Sequence, residues 1–151
     1  MKTDQNKVIK EFREDKNCSQ AVLLGFADRF QIREDHALSI SAGFGSGMGR
    51  LQRTCGAVSG AYMVIGLYAG AKSISNVERK EAAYSMIRKF TQRFEEIEGS
   101  TLCADILHCN LNTEEGKKYF EDNHLSEKVC EKCIKLSLII LDDLLEGKEQ
   151  D

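Results

Sequence analysis

The chain has 151 residues, with 21 Lys and Arg against 24 Asp and Glu, a net charge of −3. That is about one domain's worth of sequence, and its 42% hydrophobic and 30% charged content excludes a disordered chain. The slightly acidic balance provides no basic field for nucleic acid or an anionic membrane. Proline and tryptophan are absent, whereas cysteine occurs six times beside only three histidines. Residues 1–11 are polar and lack the apolar core of a secretory signal. The longest apolar stretch, Ala57 to Ala71, is diluted by glycine and tyrosine and is shorter than the roughly 20 residues of a spanning helix. These features predict a cytoplasmic protein whose cysteines are reduced and therefore serve redox chemistry, metal binding or packing.

Helical periodicity dominates from the start of the chain. Asp4 to Asp15 carries Val8, Ile9 and Phe12 at helical spacing, with Thr3 or Asp4 as the cap. Asn17 caps a second helix to about Phe30, with Val22, Leu23, Phe26 and Phe30 along one side. A third covers Glu34 to Ala42, with Leu38 and Ile40 apolar. Gly43, Gly45, Gly47 and Gly49 then alternate, which predicts a loop, since each glycine inside a helix costs about 1 kcal/mol relative to alanine. Thr54 caps a fourth helix from Cys55 to about Tyr68. Its small residues Gly56, Ala57, Gly60 and Ala61 let a neighbouring helix approach closely, so it reads as a buried central helix.

Ser75 or Asn76 caps a long fifth helix to about Ile97, with Val77, Ala83, Tyr84, Ile87, Phe90 and Phe94 as its apolar stripe and Gly99 as its stop. Ser100 or Thr101 starts a short helix through Cys103, Ile106 and Leu107. Thr113 and Glu115 begin a polar helix ending near Asp122. Ser126 caps the last helix, to about Leu145, with Val129, Ile134, Leu138, Leu141 and Leu145 inward. No segment shows two-residue alternation between hairpin turns. The expected architecture is an all-α bundle of six to eight helices in a single domain over residues 1–151.

The glycine loop does not fit known nucleotide fingerprints. Counting G-x-G-x-x-G from Gly43 places the third glycine on Met48, and from Gly45 on Arg50; no Gly-Lys-Ser/Thr follows. An anion site built by Gly45, Gly47, Gly49 and Arg50, with Arg53 nearby, stands beside the alternative of a tight turn passing close to the Cys55 helix.

Cys18 follows Asn17, Cys55 follows Thr54, Cys103 lies in the first turn of its short helix, and Cys130 and Cys133 form a CxxC early in the last helix. Helix starts carry partial positive charge and free N–H groups, which lower a thiol's pKa. This shared placement predicts reactive thiols; the bland alternative is that cysteine is a small buried hydrophobe. Cys103, Cys109, Cys130 and Cys133, with His108 and His124, also fall within a short stretch, and a metal reading drawing on Cys18, Cys55, Cys103, Cys109, Cys130 and Cys133 as ligands for zinc or an iron–sulfur cluster stays open. His36, His108 and His124 read as surface or packing residues.

The runs Asn17-Cys18-Ser19-Gln20-Ala21-Val22, Gly43-Phe-Gly-Ser-Gly-Met-Gly49 and Cys55-Gly56-Ala57-Val58-Ser59-Gly60 resemble the C_GCAxxG_C_C family, whose prokaryotic members are described as redox-active and carry four cysteines. The resemblance implies that Cys18 and Cys55 are the first two family cysteines and Cys103 the third. It places the fourth at Cys130 in preference to Cys133, with Cys109 as an extra. It further implies thiol–disulfide exchange or electron transfer with an unnamed redox partner, and a functional link to a membrane transporter. The residues' own pattern leaves two alternatives: a cysteine-ligated metal or iron–sulfur protein, and a non-catalytic bundle forming a homodimer through the small-residue helix. Within the redox reading, Cys55 is the expected attacking thiol, its pKa lowered further by Arg50 and Arg53.

Overall fold

A computed structural model describes residues 2–147; Met1 and residues 148–151, which the single-domain expectation includes, lie outside the described residues. The described residues form eight α-helices and no strand. They are α1 (Gln5–Glu14), α2 (Cys18–Ala27), α3 (Glu34–Ser41), α4 (Gly56–Lys72), α5 (Asn76–Glu98), α6 (Cys103–Leu107), α7 (Glu114–Asp122) and α8 (Glu131–Leu145). The all-α expectation holds.

Local chemistry accounts for most of the boundaries. The Asp4 carboxylate accepts from the Lys7 N–H, Ser75 Oγ from the Glu78 N–H, and Thr113 Oγ1 from the Gly116 N–H, each satisfying a donor that the first helical turn leaves unpaired. Asn17 and Gln20 form a reciprocal capping box at α2. Gly99 ends α5 in a left-handed conformation, φ 83°, which glycine adopts without a Cβ penalty.

Two caps differ from expectation. Thr54 makes no cap bond to α4; its backbone is paired elsewhere, and Cys55 occupies the capping position. Ser126 does not cap the last helix either: Ser126–Cys130 is a wide π-turn that leads into α8 without a side-chain cap.

The core is built around α4, in which Val58, Ala61, Val64 and Ile65 are fully buried. α2, α5 and α8 pack against it, and α1 covers α2 and α8. The small residues of α4 serve α2 of the same chain: a Cβ on Gly60 would stand 2.9 Å from the Ser19 carbonyl oxygen and 3.1 Å from Val22 Cβ. The face expected to hold a second copy is therefore occupied from within. Along α5, Phe90 and Phe94 are buried and stacked, and Tyr62 of α4 meets Phe90 edge-on. Val77 and Tyr84 lie outside the core: residues 76–82 are exposed throughout, and Tyr84 is exposed while Ala83 and Ile87 pack inward. In α3 the buried residues are Ala37 and Ser41, while Ile40 faces solvent. Among the described residues, no helix is long and apolar enough to cross a membrane.

Candidate functional site: a five-cysteine cavity

The glycine loop is an unusual piece of backbone. Ser46, Gly47, Met48, Gly49, Arg50 and Gln52 all have positive φ. Only two of these are glycines, and each non-glycine residue held there costs on the order of 1–3 kcal/mol. A dense bond set holds the coil in place. Gly49 N–H donates to the Gly45 carbonyl at 3.1 Å, Gln52 N–H to Ser46 at 3.2 Å and Arg53 N–H to Gly47 at 2.9 Å. The buried Gln52 side chain donates to the Cys109 carbonyl at 2.9 Å and accepts from the Leu111 N–H at 2.8 Å. Asn112 Nδ2 donates to the Arg50 carbonyl at 2.8 Å.

The glycines themselves permit close packing. A Cβ on Gly45 would lie 2.4 Å from Asn17 Cγ, and one on Gly47 2.5 Å from Gln52 Cα. In the structure Gly45 and Gly47 are the points where the coil touches the α2 cap and its own return path. Gly49 turns the chain with φ 62°, and Arg50 and Arg53 are exposed.

The coil delivers the chain to the α6 entry. Thr54 pairs with Leu102 in an antiparallel bridge; Cys55 N–H donates to the Thr101 carbonyl and Cys103 N–H to the Arg53 carbonyl, both at 2.7 Å. This clamp brings Cys55 and Cys103 together from positions 48 residues apart (103 − 55). Cys18 arrives at the start of α2, where a Cβ on Gly56 would approach Cys18 Cβ to 2.9 Å. Cys130 closes the π-turn and Cys133 lies in the first turn of α8. Between them Glu131 is buried and held by Arg13 of α1 through Nε–Oε2 and Nη2–Oε1 bonds of 3.1 and 2.7 Å. Cys18, Cys55, Cys103, Cys130 and Cys133 line one cavity of about 50 Å³, whose other walls include Ile106, Leu107, Leu111, Phe120 and Val129.

Residues 16–144 match the family described as "Putative redox-active protein (C_GCAxxG_C_C)". The chain belongs to the C_GCAxxG_C_C family. No curated protein and no solved structure matches it.

In this C_GCAxxG_C_C protein all six cysteines are free thiols, and they are not equivalent. The Cys55 thiol is held below its ordinary value, first by a hydrogen bond donated from Cys133 and then by the Ala57 and Val58 N–H groups at the α4 start; burial opposes these. The expected contribution of Arg50 and Arg53 is replaced by these closer donors. Cys133 is driven far upward as the donor in that bond, then by burial and by the Cys55 and Glu98 charges.

Cys18 and Cys103 differ from the expectation of lowered thiols at helix starts. Cys18 rises well above its ordinary value because its thiol is hydrogen-bonded to Cys130 and desolvated. Cys103 is pushed up to about 12, by burial first and then by the Cys55 and Cys130 charges, with a Gln52 hydrogen bond opposing. A helix start lowers a thiol only where the donors around it outweigh desolvation, and at Cys55 the Cys133 hydrogen bond added to the Ala57 and Val58 N–H groups does so.

The thiols therefore shift one another's pKa chiefly in two pairs, Cys55 with Cys133 and Cys18 with Cys130. Cys103 stands beside both. Cys109 lies outside the cavity, half-buried, with its carbonyl bound to Gln52. His36, His108 and His124 are exposed. Among the described residues, no three His, Cys, Asp or Glu side chains are arranged as a metal-ligating set.

Two participants had no sequence signal. Gln52 sits in a polar run next to the glycines, and only the fold shows it buried and bonded to two loops. Glu98 closes α5 with its side chain 9% exposed and Oε1 3.3 Å from Lys132 Nζ, and its charge raises both Cys55 and Cys133.

Proposed function

We propose that this protein carries out thiol–disulfide exchange, with Cys55 as the attacking thiol and Cys133 as the resolving one. The observation that carries this reading is the hydrogen-bonded Cys55–Cys133 pair, whose members are shifted in opposite directions. The thiolate is the nucleophile in such exchange. Cys55 is thus prepared to attack, while Cys133 keeps its proton beside it until a second attack is needed.

The Cys55 thiolate attacks one sulfur of a substrate disulfide, forming a mixed disulfide and releasing the other half as a thiolate. Cys133 then loses its proton and attacks Cys55 Sγ. The mixed disulfide breaks, the second substrate thiolate leaves, and Cys55–Cys133 is the new disulfide. Two electrons pass from the dithiol to the substrate. The apolar walls suit a substrate that presents a disulfide on a narrow stem, since Cys55 is only 8% exposed. Re-reduction of the disulfide needs a dithiol donor, and six free thiols suit a reducing compartment such as the cytoplasm.

The test is anaerobic alkylation of the reduced full chain with iodoacetamide, read cysteine by cysteine by peptide mass, with metal content measured on the same sample. Cys55 is expected to react fastest among the cavity cysteines at neutral pH, and Cys55→Ser to remove disulfide-reducing activity while the helical circular dichroism persists. Stoichiometric zinc or iron with all cavity thiols protected would overturn the proposal in favour of a thiolate–metal centre. Metal-free protein with an inert Cys55 would overturn it in favour of a structural role.

A further inference from the structure

The cavity holds two thiol pairs where the proposed exchange uses one. Cys18 and Cys130 line the same small cavity as Cys55 and Cys133 and are half-buried, whereas Cys133 is 1% and Cys55 8% exposed. The two pairs are linked through one helix. Cys130 ends the π-turn Ser126–Cys130, and Cys133 lies three residues on, in the first turn of α8. Residues three apart on a helix are neighbours, with Cβ atoms about 5–6 Å apart. A disulfide needs about 3.5–4.5 Å, so only a local adjustment separates Cys130 and Cys133 from a bridge. A π-turn is the kind of widened helical turn that recurs at functional sites.

Building on the proposed exchange at Cys55, we infer that the two pairs form a relay, in which a disulfide made at Cys55–Cys133 moves inside the chain to Cys18–Cys130. In the first step Cys130 gives up its proton to water and its thiolate attacks Cys133 Sγ. The Cys55–Cys133 bond breaks, Cys130–Cys133 forms, and Cys55 leaves as a thiolate. In the second step Cys18 attacks Cys130 Sγ. The Cys130–Cys133 bond breaks, Cys18–Cys130 forms, and the Cys18 proton ends on Cys133. Both steps are exchanges that leave the number of disulfides unchanged, so neither needs an outside oxidant.

The direction follows from the chemistry of the sulfurs. A thiol of lower pKa leaves faster, and Cys55 keeps the Ala57 and Val58 N–H groups at the α4 start as donors to its departing thiolate even while Cys133 is bound in a disulfide, so it is the favoured leaving group of the first step. In the second step the proton passes to Cys133, which holds a proton strongly next to Cys55. The product restores the Cys55–Cys133 dithiol as it stands in the reduced protein, ready for another substrate disulfide. One chain would thus reduce two disulfides before re-reduction, storing four electrons. A reductant would meet the Cys18–Cys130 bond from the Cys130 side, where the residue is half-buried.

The experiment mixes the anaerobic, fully reduced full chain with oxidised glutathione, quenches with N-ethylmaleimide at intervals, and locates disulfides by intact mass and peptide mapping. The relay predicts that Cys55–Cys133 appears first, that Cys18–Cys130 replaces it, and that two disulfides per chain accumulate. It also predicts that Cys55→Ser and Cys133→Ser, each checked for helical content, both slow formation of Cys18–Cys130 by tenfold or more. Formation of Cys18–Cys130 at the wild-type rate in either folded variant would overturn the relay, since the pairs would then oxidise independently, and would leave the exchange at Cys55 standing. An accumulated Cys55–Cys133 disulfide that never migrates would also overturn it. Absence of any Cys55–Cys133 disulfide would overturn the exchange reading itself.

Discussion

The close contact of α2 and α4, which sets Cys18 against the Cys55 helix, can be tested with two glycines of the same helix. Gly60→Ala and Gly66→Ala make the same chemical change inside α4, so each gains about 1 kcal/mol of helix propensity. Their surroundings differ. A Cβ at Gly60 would lie 2.9 Å from the Ser19 carbonyl oxygen and 3.2 Å from Ser19 Cα, which are backbone atoms and cannot rotate away; at Gly66 nothing lies within 4 Å. Forcing a methyl group into a packed contact costs about 1–3 kcal/mol. Gly66→Ala is therefore expected to stabilise by about 1 kcal/mol. Gly60→Ala should fall below Gly66→Ala by the steric cost, about 1–3 kcal/mol, because the propensity gain cancels between them.

For a chain of this size each kcal/mol moves Tm by about 2–4 °C. Thermal unfolding followed by circular dichroism under reducing conditions should place Gly66→Ala above wild type and Gly60→Ala at or below it. Equal rises in both variants would refute the reasoning, because the α2–α4 contact would then not depend on the missing Cβ. The Cys55 alkylation rate on the same samples adds a functional reading, since a displaced α2 carries Cys18 with it.

Removing the Cys133 donor should be visible at Cys55. In Cys133→Ala the pH at which Cys55 alkylation reaches half its maximal rate is expected to move up toward the ordinary thiol value of 9.0, and an unmoved inflection would exclude Cys133 as its main stabiliser. The reduced protein should lose stability in alkali. Cys18, Cys103, Cys109 and Cys133 hold their protons above 9.0 in the fold whereas the unfolded chain releases its own near that value, so their stabilisation is complete below pH 9 and falls above it; for Cys103 the window runs to about 12. Cys55 acts in the opposite sense, one thiol against four. Anaerobic melts between pH 8 and 10.5 should therefore show a falling Tm, with a shallower fall in Cys103→Ala. Asp142 fastens the start of the chain to α8 by accepting from the Thr3 N–H at 2.9 Å and the Thr3 hydroxyl at 2.8 Å. Hydrogen bonds to charged groups are worth about 1.5–3 kcal/mol, so Asp142→Ala should lower stability by at least that scale in a urea titration, and an unchanged midpoint would show the fastening to be idle.

The helices were legible because their signals are local. Asn17 and Gln20 write a capping box within one turn, Ser75 and Thr113 cap their own helices, and Gly99 takes the left-handed stop that an L side chain avoids. The spacing of Gly56, Ala57, Gly60 and Ala61 likewise announced a close helix contact, and α2 fills it. Where a signal depended on a distant partner the reading diverged. Thr54 looked like a cap by its position, but the bridge to Leu102 takes its backbone. Val77 and Tyr84 continue the α5 period, yet Val77 lies beyond the reach of the core and Tyr84 is exposed between the inward-packed Ala83 and Ile87.

The site follows the same division. That cysteines gather at helix starts could be read along the chain, and so could a glycine coil ahead of Cys55. The pairing could not. Helix starts alone would lower every one of these thiols, and periodicity carries no term for desolvation or for which sulfur faces which. Tertiary structure placed Cys133 against Cys55 and Cys130 against Cys18, buried Gln52 between two loops, and set the Glu98 charge where both Cys55 and Cys133 feel it. Sequence by itself determined the helices, their caps and the cysteines available for chemistry, since those depend on neighbours a few residues away. Only the packed fold decided which thiol is held below its ordinary pKa and which above it, because that balance is set by burial and by groups brought together from opposite ends of the chain.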